Sequence, residues 1–394
     1  MTWHIITPEY PPQPGGVSDY TRLVATALAA AGDEVDVWCP SRQGEVADVE
    51  AADGVVIHRN FGDFSRSDIR RVDQMLDQFE GPRRLLVQWV PHGFGKRAMN
   101  LPFCWWLLSR ARRGDRVELM VHEPFLEFTK GFRRQNAVAL VHRLMTIILL
   151  RAASRVWISI PAWETYWRPY ALGLKQTFSW LPVVSNIPVV SDPVAVKAVR
   201  SRYVGNEDSL VGHFGAYDRD NTSLLVAAVA PLIGNGRKNV LLLLGRGGER
   251  VRDALIQKQP EMADRVHATG ALDDVDLSVH LGACDVMLQP YVDGVSSRRG
   301  SMMAALAHGL PVVTTSGRLT EPLWAESEAV VVVPVENVAG LVETTRRLLA
   351  DVEGRGRMGR SAKALYAERF DVRVIISALR DAAATVEGPK EPGF

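Results

Sequence analysis

Cysteine is scarce: the 394 residues contain three, Cys39, Cys104 and Cys284. They stand too far apart for metal-ligand or redox spacing. That excludes a disulfide scaffold, a zinc cluster and a dithiol motif, and leaves buried free thiols in a reducing compartment as the expectation. Neither charge sign is in excess, with 46 Lys plus Arg against 45 Asp plus Glu. Net charge therefore gives no reason to expect nucleic acid, and any basic surface has to be local. Long apolar runs are missing as well. The most apolar stretch, Ala137 to Leu150, is broken by His142 and Arg143 and falls short of the roughly 20 residues a spanning helix needs. The first residues, MTWHIITPEYPP, lack a basic region followed by an apolar run, so no secretion leader is expected. The expected place is the cytoplasm, with a peripheral contact at the inner face of the membrane.

What is present describes a globular α/β protein. Hydrophobic residues make up 47% and charged residues 23%, and the length suits two domains, each with its own core. The chain starts as strand, loop, helix, strand: Trp3–Thr7, then Val17–Ala31 ended by Gly32, then Glu34–Cys39. The loop between, PEYPPQPGG, is stiffened by four prolines. Its Gly15 and Gly16 let a ligand approach the helix start, although the dinucleotide pattern Gly-x-Gly-x-x-Gly is absent. Further strands are expected at Val55–His58, Leu85–Trp89, Val117–His122 and Arg155–Ser159, with a last strand region at Trp180–Pro188. Ligands of such sheets bind beyond the carboxyl ends of the strands, which selects His92, His122 and Glu123. A second alternation begins at Ser209–Phe214 and continues through Val240–Leu244, Val266–Thr269, Val286–Gln289, Val312–Thr314 and Val330–Val333. The boundary is expected in a linker at 188–207. Helices are expected at Met358–Phe370 and Val372–Ala384.

The most informative stretch is Tyr291 to Thr315, YVDGVSSRRGSMMAALAHGLPVVTT. It reads as a loop, a helix opened by Gly300 and Ser301, a left-handed stop at Gly309, and a strand after Pro311. The helix start offers unpaired N–H groups and a partial positive charge, with Arg298 and Arg299 just ahead of it, a combination suited to a diphosphate.

This stretch resembles the donor loop of family 4 glycosyltransferases, which usually carries EGFGLPLLEAMACGxPVV. Alignment on His308–Gly309–Leu310–Pro311 sets Ser296 at the family's first glutamate and Ala304 at its second, so both carboxylates of the Glu-x7-Glu motif are replaced. The turns at Gly212–Gly215, Gly245–Gly248 and Gly270–Leu272 resemble the family's successive donor turns, and Ala216 and Asn221 stand where it has Arg and Lys. The resemblance implies a GT-B fold, two Rossmann-like parallel-sheet domains facing a central cleft. The acceptor domain would span 1–187 and the donor domain 208–370, and the last helix (371–394 with the tail) would return to the first domain. It also implies a retaining glycosyltransferase that needs no metal. Arg298, Arg299 and His122 would sit at the chemistry. Gly16, Gly215, Arg219, Gly245, Arg246, Leu272 and Tyr291 would line the donor, together with Ser296, Ser297, Gly300 and Ser301. Gly15, His92 and Glu123 would meet the acceptor. The partners expected are a nucleotide sugar and a glycan or lipid-linked acceptor, with no nucleic acid. A catalytically silent relative that binds a glycan or a partner protein, and an epimerase or phosphorylase of the same architecture, are the competing readings.

Two segments mix aromatic and basic residues. One holds Lys96, Arg97, Trp105, Trp106, Arg110, Arg112 and Arg113; the other holds Phe128, Lys130, Phe132, Arg133 and Arg134. Tryptophan beside arginine suits an interfacial helix among anionic headgroups, and the same pattern also describes an ordinary amphipathic helix with its tryptophans in the core.

Overall fold

Apolar strands bounded by glycine and proline loops alternate with helices twice along the chain, and each run builds its own sheet. The computed structural model describes residues 1–41, 48–95, 98–131, 133–233 and 239–384; Lys96, Arg97 and Phe132 lie outside them. One unit comprises Met1–Pro182 with the segment from Val372 onward, and the other is Val183–Asp371.

The first unit runs β1 (Thr2–Ile6), α1 (Gly16–Ala30), β2 (Glu34–Trp38), β3 (Val49–Ala52), β4 (Val55–His58), α2 (Arg66–Leu76) and β5 (Arg84–Trp89). It continues with α3 (Leu101–Arg112), β6 (Arg116–Val121), α4 (Arg133–Ala152), β7 (Ala153–Ile158), α5 (Ala162–Trp167) and β8 (Phe178–Trp180). The eight strands order as β3-β4-β2-β1-β5-β6-β7-β8, parallel except for the β3–β4 pair. Strand β5, RLLVQW, is buried along its whole length, as a central parallel strand covered on both faces must be. β3 escapes sequence reading, and the strand expected at Trp180–Pro188 is instead the short β8, for local reasons. β3 is VEAA, mostly exposed and without an apolar alternation, and β8 has only three residues.

The second unit runs α6 (Pro193–Tyr203), β9 (Ser209–Phe214), α7 (Arg219–Ile233), β10 (Asn239–Leu244), α8 (Gly248–Lys258), β11 (Val266–Ala268) and α9 (Asp274–Gly282). Then come β12 (Val286–Gln289), α10 (Gly300–Ala307), β13 (Val312–Ser316), α11 (Pro322–Glu326), β14 (Val330–Pro334), α12 (Val338–Ala350) and α13 (Val352–Arg369). Its six strands order as β11-β10-β9-β12-β13-β14 and pair in parallel. Leu241, Leu243, Val286, Leu288 and Val313 fill the core with Leu225, Val229 and Leu232 of α7.

Two boundaries differ from expectation. The stretch read as a linker holds α6, which packs within the second unit: Arg200 donates to Asp285 at 2.8 Å and to the Asp208 carbonyl at 2.9 Å. Helix α13 starts at Val352 rather than Met358 because Asp351 accepts from the Gly354 N–H at 2.8 Å. That cap outweighs the poor helix propensity of Gly354 and Gly356.

The last helix, α14 (Val372–Ala384), belongs to the first unit. Ile375, Ile376, Leu379 and Ala383 recur at helical spacing and are buried, packed with α1. Arg116 donates to the Ala382 carbonyl at 2.9 Å, a cation on the carbonyl end of the helix, where the macrodipole favours it. Arg84 reaches the Leu379 carbonyl and pairs with buried Glu118 at 2.6 Å.

Candidate functional site

In the second sheet β9 and β12 are neighbours, and the chain leaves them in opposite directions: β9 leads through α7 to β10, β12 through α10 to β13. Loops diverging at such a switch point open a crevice at the carboxyl ends of the strands. The loop after β9 starts at Gly215, and the loop after β12 runs through Tyr291 to Arg299. Asn221 links the two by accepting from the Val292 N–H at 2.9 Å. Tyr291 N–H donates to Thr315 Oγ1 at 2.7 Å. Gly294 has φ +87°, and a Cβ there would collide with Thr320 and the Gly317 backbone. Only glycine fits that bend.

Helix α10 is buried from Met302 to Ala307, so its sides are spent on packing and its amino end is what remains for binding. The carbonyl end closes in a Schellman motif: Leu310 N–H bonds to the Ala305 carbonyl at 3.0 Å, Gly309 N–H to Leu306 at 2.9 Å, and Gly309 has φ +65°. Among the described residues no side chain caps the amino end, and a Cβ on Gly300 would meet none of them within 4 Å. Arg298 and Arg299 stand there. Both bind Asp293, Arg298 Nη2 at 2.6 Å from Oδ2 and Arg299 Nη2 on Oδ1. The Arg299 guanidinium lies 4.7 Å from the Tyr291 ring centre, and Tyr291 Oη is 2.9 Å from Ser301 Oγ. Gly215 borders the same place, since a Cβ on it would lie 3.7 Å from Ser301 Oγ. Asp218 caps α7 through the N–H groups of Asp220 and Asn221. Burial works to raise its carboxyl, and those hydrogen bonds with the Arg299 charge outweigh it and hold the group below its usual value.

Ser296 and Ser297 are buried. Ser297 is held from behind by Glu321, whose Oε1 accepts its N–H at 3.0 Å and also its hydroxyl. Trp324 Nε1 donates to the same carboxylate at 2.6 Å, and burial pushes that carboxyl above its usual range despite these bonds. Glu321 and Asp293 thus shape the loop, and sequence reasoning missed both. The signal was weak: each is a single acid in a loop, Asp293 at the edge of the Tyr291–Thr315 stretch and Glu321 beyond its end. Gly245, with φ +100°, bridges to Gly270, where a Cβ would strike Glu249. Arg219 and Arg246 are exposed and Leu272 half-buried.

In the first unit the amino end of α1 is already occupied. Glu9 Oε1 accepts from the N–H groups of Val17 at 3.1 Å and Ser18 at 3.0 Å, and a Cβ on Gly15 would fall inside that carboxylate. Gly15 is therefore accounted for by Glu9, a residue sequence reasoning passed over, while Gly16 faces open space. His92 is exposed and 3.4 Å from Glu123; the hydrogen bond with that carboxylate holds it above the usual imidazole value. His122 closes β6, but its side chain is buried, with Nε2 2.8 Å from Gln88 Oε1 and the ring edge-on to Tyr20. Burial pushes it down to about 4, so it is neutral at physiological pH. Of the first aromatic and basic segment, Trp106 is core and donates to Asp73 at 2.6 Å, and Arg110 is buried on Asp73, Asp77 and Asp115. Trp105 alone of the two tryptophans is exposed.

Among the described residues no group of three or more His, Cys, Asp or Glu is placed to hold a metal, and no helix is long and apolar enough to cross a membrane. No curated protein matches this chain in sequence. Residues 208–351 match the family described as glycosyl transferases group 1. The structure is similar to that of sucrose-phosphate synthase from Thermosynechococcus elongatus, with a TM-score of 0.76 and 19% identity over 98% of both chains. It is also similar to HepE from Anabaena in complex with UDP, at 0.68 and 15% over 98% of this chain and 100% of that one. WaaG, a glycosyltransferase involved in lipopolysaccharide biosynthesis, matches at 0.66 and 18% over 99% of this chain and 100% of that one. The chain thus has the GT-B fold, two α/β domains built on parallel sheets, and its second unit carries the glycosyl transferases group 1 pattern from residue 208 to residue 351.

Proposed function

We propose that the protein is a retaining glycosyltransferase that moves a sugar from a nucleotide-diphosphate donor to a hydroxyl of a glycan, a glycolipid or a small molecule. Arg298, Arg299 and the first N–H groups of α10 hold the diphosphate. One observation carries this reading: at the strand switch point, a helix with no capping side chain begins directly behind two guanidinium groups that share a single carboxylate. Arginine's planar fork suits two phosphate oxygens at once. The match of residues 208–351 and the likeness to a UDP-bound structure support it.

In this reading Ser296 and Ala304 replace the two glutamates of the resembling family, and the anion-holding task passes to the arginine pair. Ser296 and Ser297 then act by shaping the loop, and Gly215, Gly245 and Leu272 bound the nucleotide side of the crevice. The bond from the anomeric carbon to the diphosphate oxygen breaks, and a bond from that carbon to the acceptor oxygen forms on the same face. The acceptor's proton passes to the departing phosphate. His122, buried and neutral, takes no proton; His92 and Glu123 are the exposed groups of the first unit left to meet the acceptor.

Calorimetric titration of a panel of nucleoside diphosphates tests this. At least one should bind, and replacing both Arg298 and Arg299 by alanine should weaken it by about 2–4 kcal/mol, as expected for charge-assisted contacts. Absence of binding by the unaltered protein to every member of the panel would favour a silent, partner-binding relative. The closure of Asp293 on both arginines is the observation that keeps that second reading in play.

A further inference from the structure

Among the described residues the outward face of α4 is largely exposed and carries a consistent pattern. Residues 133, 137, 140, 144, 147 and 151 recur at intervals of three and four, which places them along one face of a helix. They are Arg133, Ala137, Leu140, Leu144, Ile147 and Arg151: arginine at each end, aliphatic between. Leu140 is 63% exposed and Leu144 46%, and both arginines are exposed. Arg134 and Lys130 add charge at the leading end. The preceding loop is fastened alongside, because His142 Nδ1 accepts from the Leu126 N–H at 3.2 Å. Arg143 donates to the Leu126 carbonyl at 2.9 Å and lies 3.9 Å from the Phe128 ring centre. Phe128 is thereby held against Arg143 of the helix and is 54% exposed. From Leu126 to Arg151 the sequence holds a single acid, Glu127, which accepts from Tyr166.

We propose that this face docks on a bilayer containing anionic lipid, with α4 lying in the plane of the interface. Leu140, Leu144 and Phe128 would enter the acyl boundary, and Arg133, Arg134 and Arg151 would stay with the headgroups at the two ends of a stripe roughly 27 Å long. Charge decides for lipid over a second copy of the chain: two such faces set together, parallel or antiparallel, would oppose arginine to arginine. The assignment stands independently of the chemistry proposed above, and it moves the membrane contact from Trp105 and Trp106 to α4.

Flotation of the full chain with vesicles tests it, comparing phosphatidylcholine alone with an equal mixture of phosphatidylcholine and phosphatidylglycerol. The protein should float with the mixed vesicles only, and added salt should release it. Replacing Leu140 and Leu144 by glutamine removes only exposed side chains, so the thermal unfolding midpoint should hold while flotation falls at least tenfold. Trp105→Ser should leave flotation unchanged. The proposal is overturned if the unaltered protein ignores the mixed vesicles, if the leucine variant floats equally well, or if Trp105→Ser abolishes flotation. A dimer in sedimentation that disappears with the leucine pair would also overturn it and assign the face to a second copy.

Discussion

Helices α1 and α10 both begin on a glycine where a loop hands over from a strand, and both look from sequence like places for an anion. At α1 the anion is built in: Glu9 bonds the N–H groups of Val17 and Ser18. At α10 no side chain caps the end, and the nearest charges are two arginines held off by Asp293. A helix start satisfied by its own chain is structural. One left unsatisfied, with cations beside it, has the means to exchange an internal carboxylate for a ligand's phosphate. What matters is the residue that faces the helix end from elsewhere in the chain, more than the helix end itself.

The comparison can be broken by making α10 resemble α1. Ser301→Asp adds a carboxylate to the first turn, where it favours the helix, so the fold should persist. Nucleoside diphosphate affinity should fall by on the order of 2–3 kcal/mol through like-charge opposition; unchanged affinity would place the diphosphate elsewhere. A smaller effect of opposite sign is expected for Asp293→Asn. It releases the arginines from their internal partner and should tighten diphosphate binding by about 1 kcal/mol, read by the same titration. Weaker binding would mean that the carboxylate is needed to aim the guanidinium groups. The least effect on binding belongs to Glu9→Ala. Removing this cap should cost about 1 kcal/mol in denaturant unfolding and leave diphosphate affinity untouched. An equal loss of affinity in that variant would erase the distinction between the two helices.

The strand positions were largely legible because parallel strands buried on both faces read as apolar runs, LLLL of β10 and VMLQ of β12 among them. The terminator of α10 was legible for a similar reason, since Gly309 followed by Pro311 leaves the helix little choice. Partner identity was not legible. Nothing near Asp293 in sequence announces that it takes both arginines, and Glu321 reaches Ser297 across 24 positions. Trp105 and Trp106 are adjacent and chemically alike, yet one is exposed and the other lies on Asp73. Helical periodicity shows that neighbours point apart and leaves open which of them points inward. The exposed leucines of α4 were hidden by the same ambiguity, within a segment apolar on nearly every side.

The first unit is assembled from the two ends of the chain, whereas the second is one continuous segment. During synthesis the later-encoded unit therefore has all its strands and helices before the earlier one does. The earlier sheet must wait for the final helix to cover Arg84, Glu118 and Arg116, and until then it holds polar groups where an interior is meant to be. Order of translation and order of completion are thus reversed in this protein.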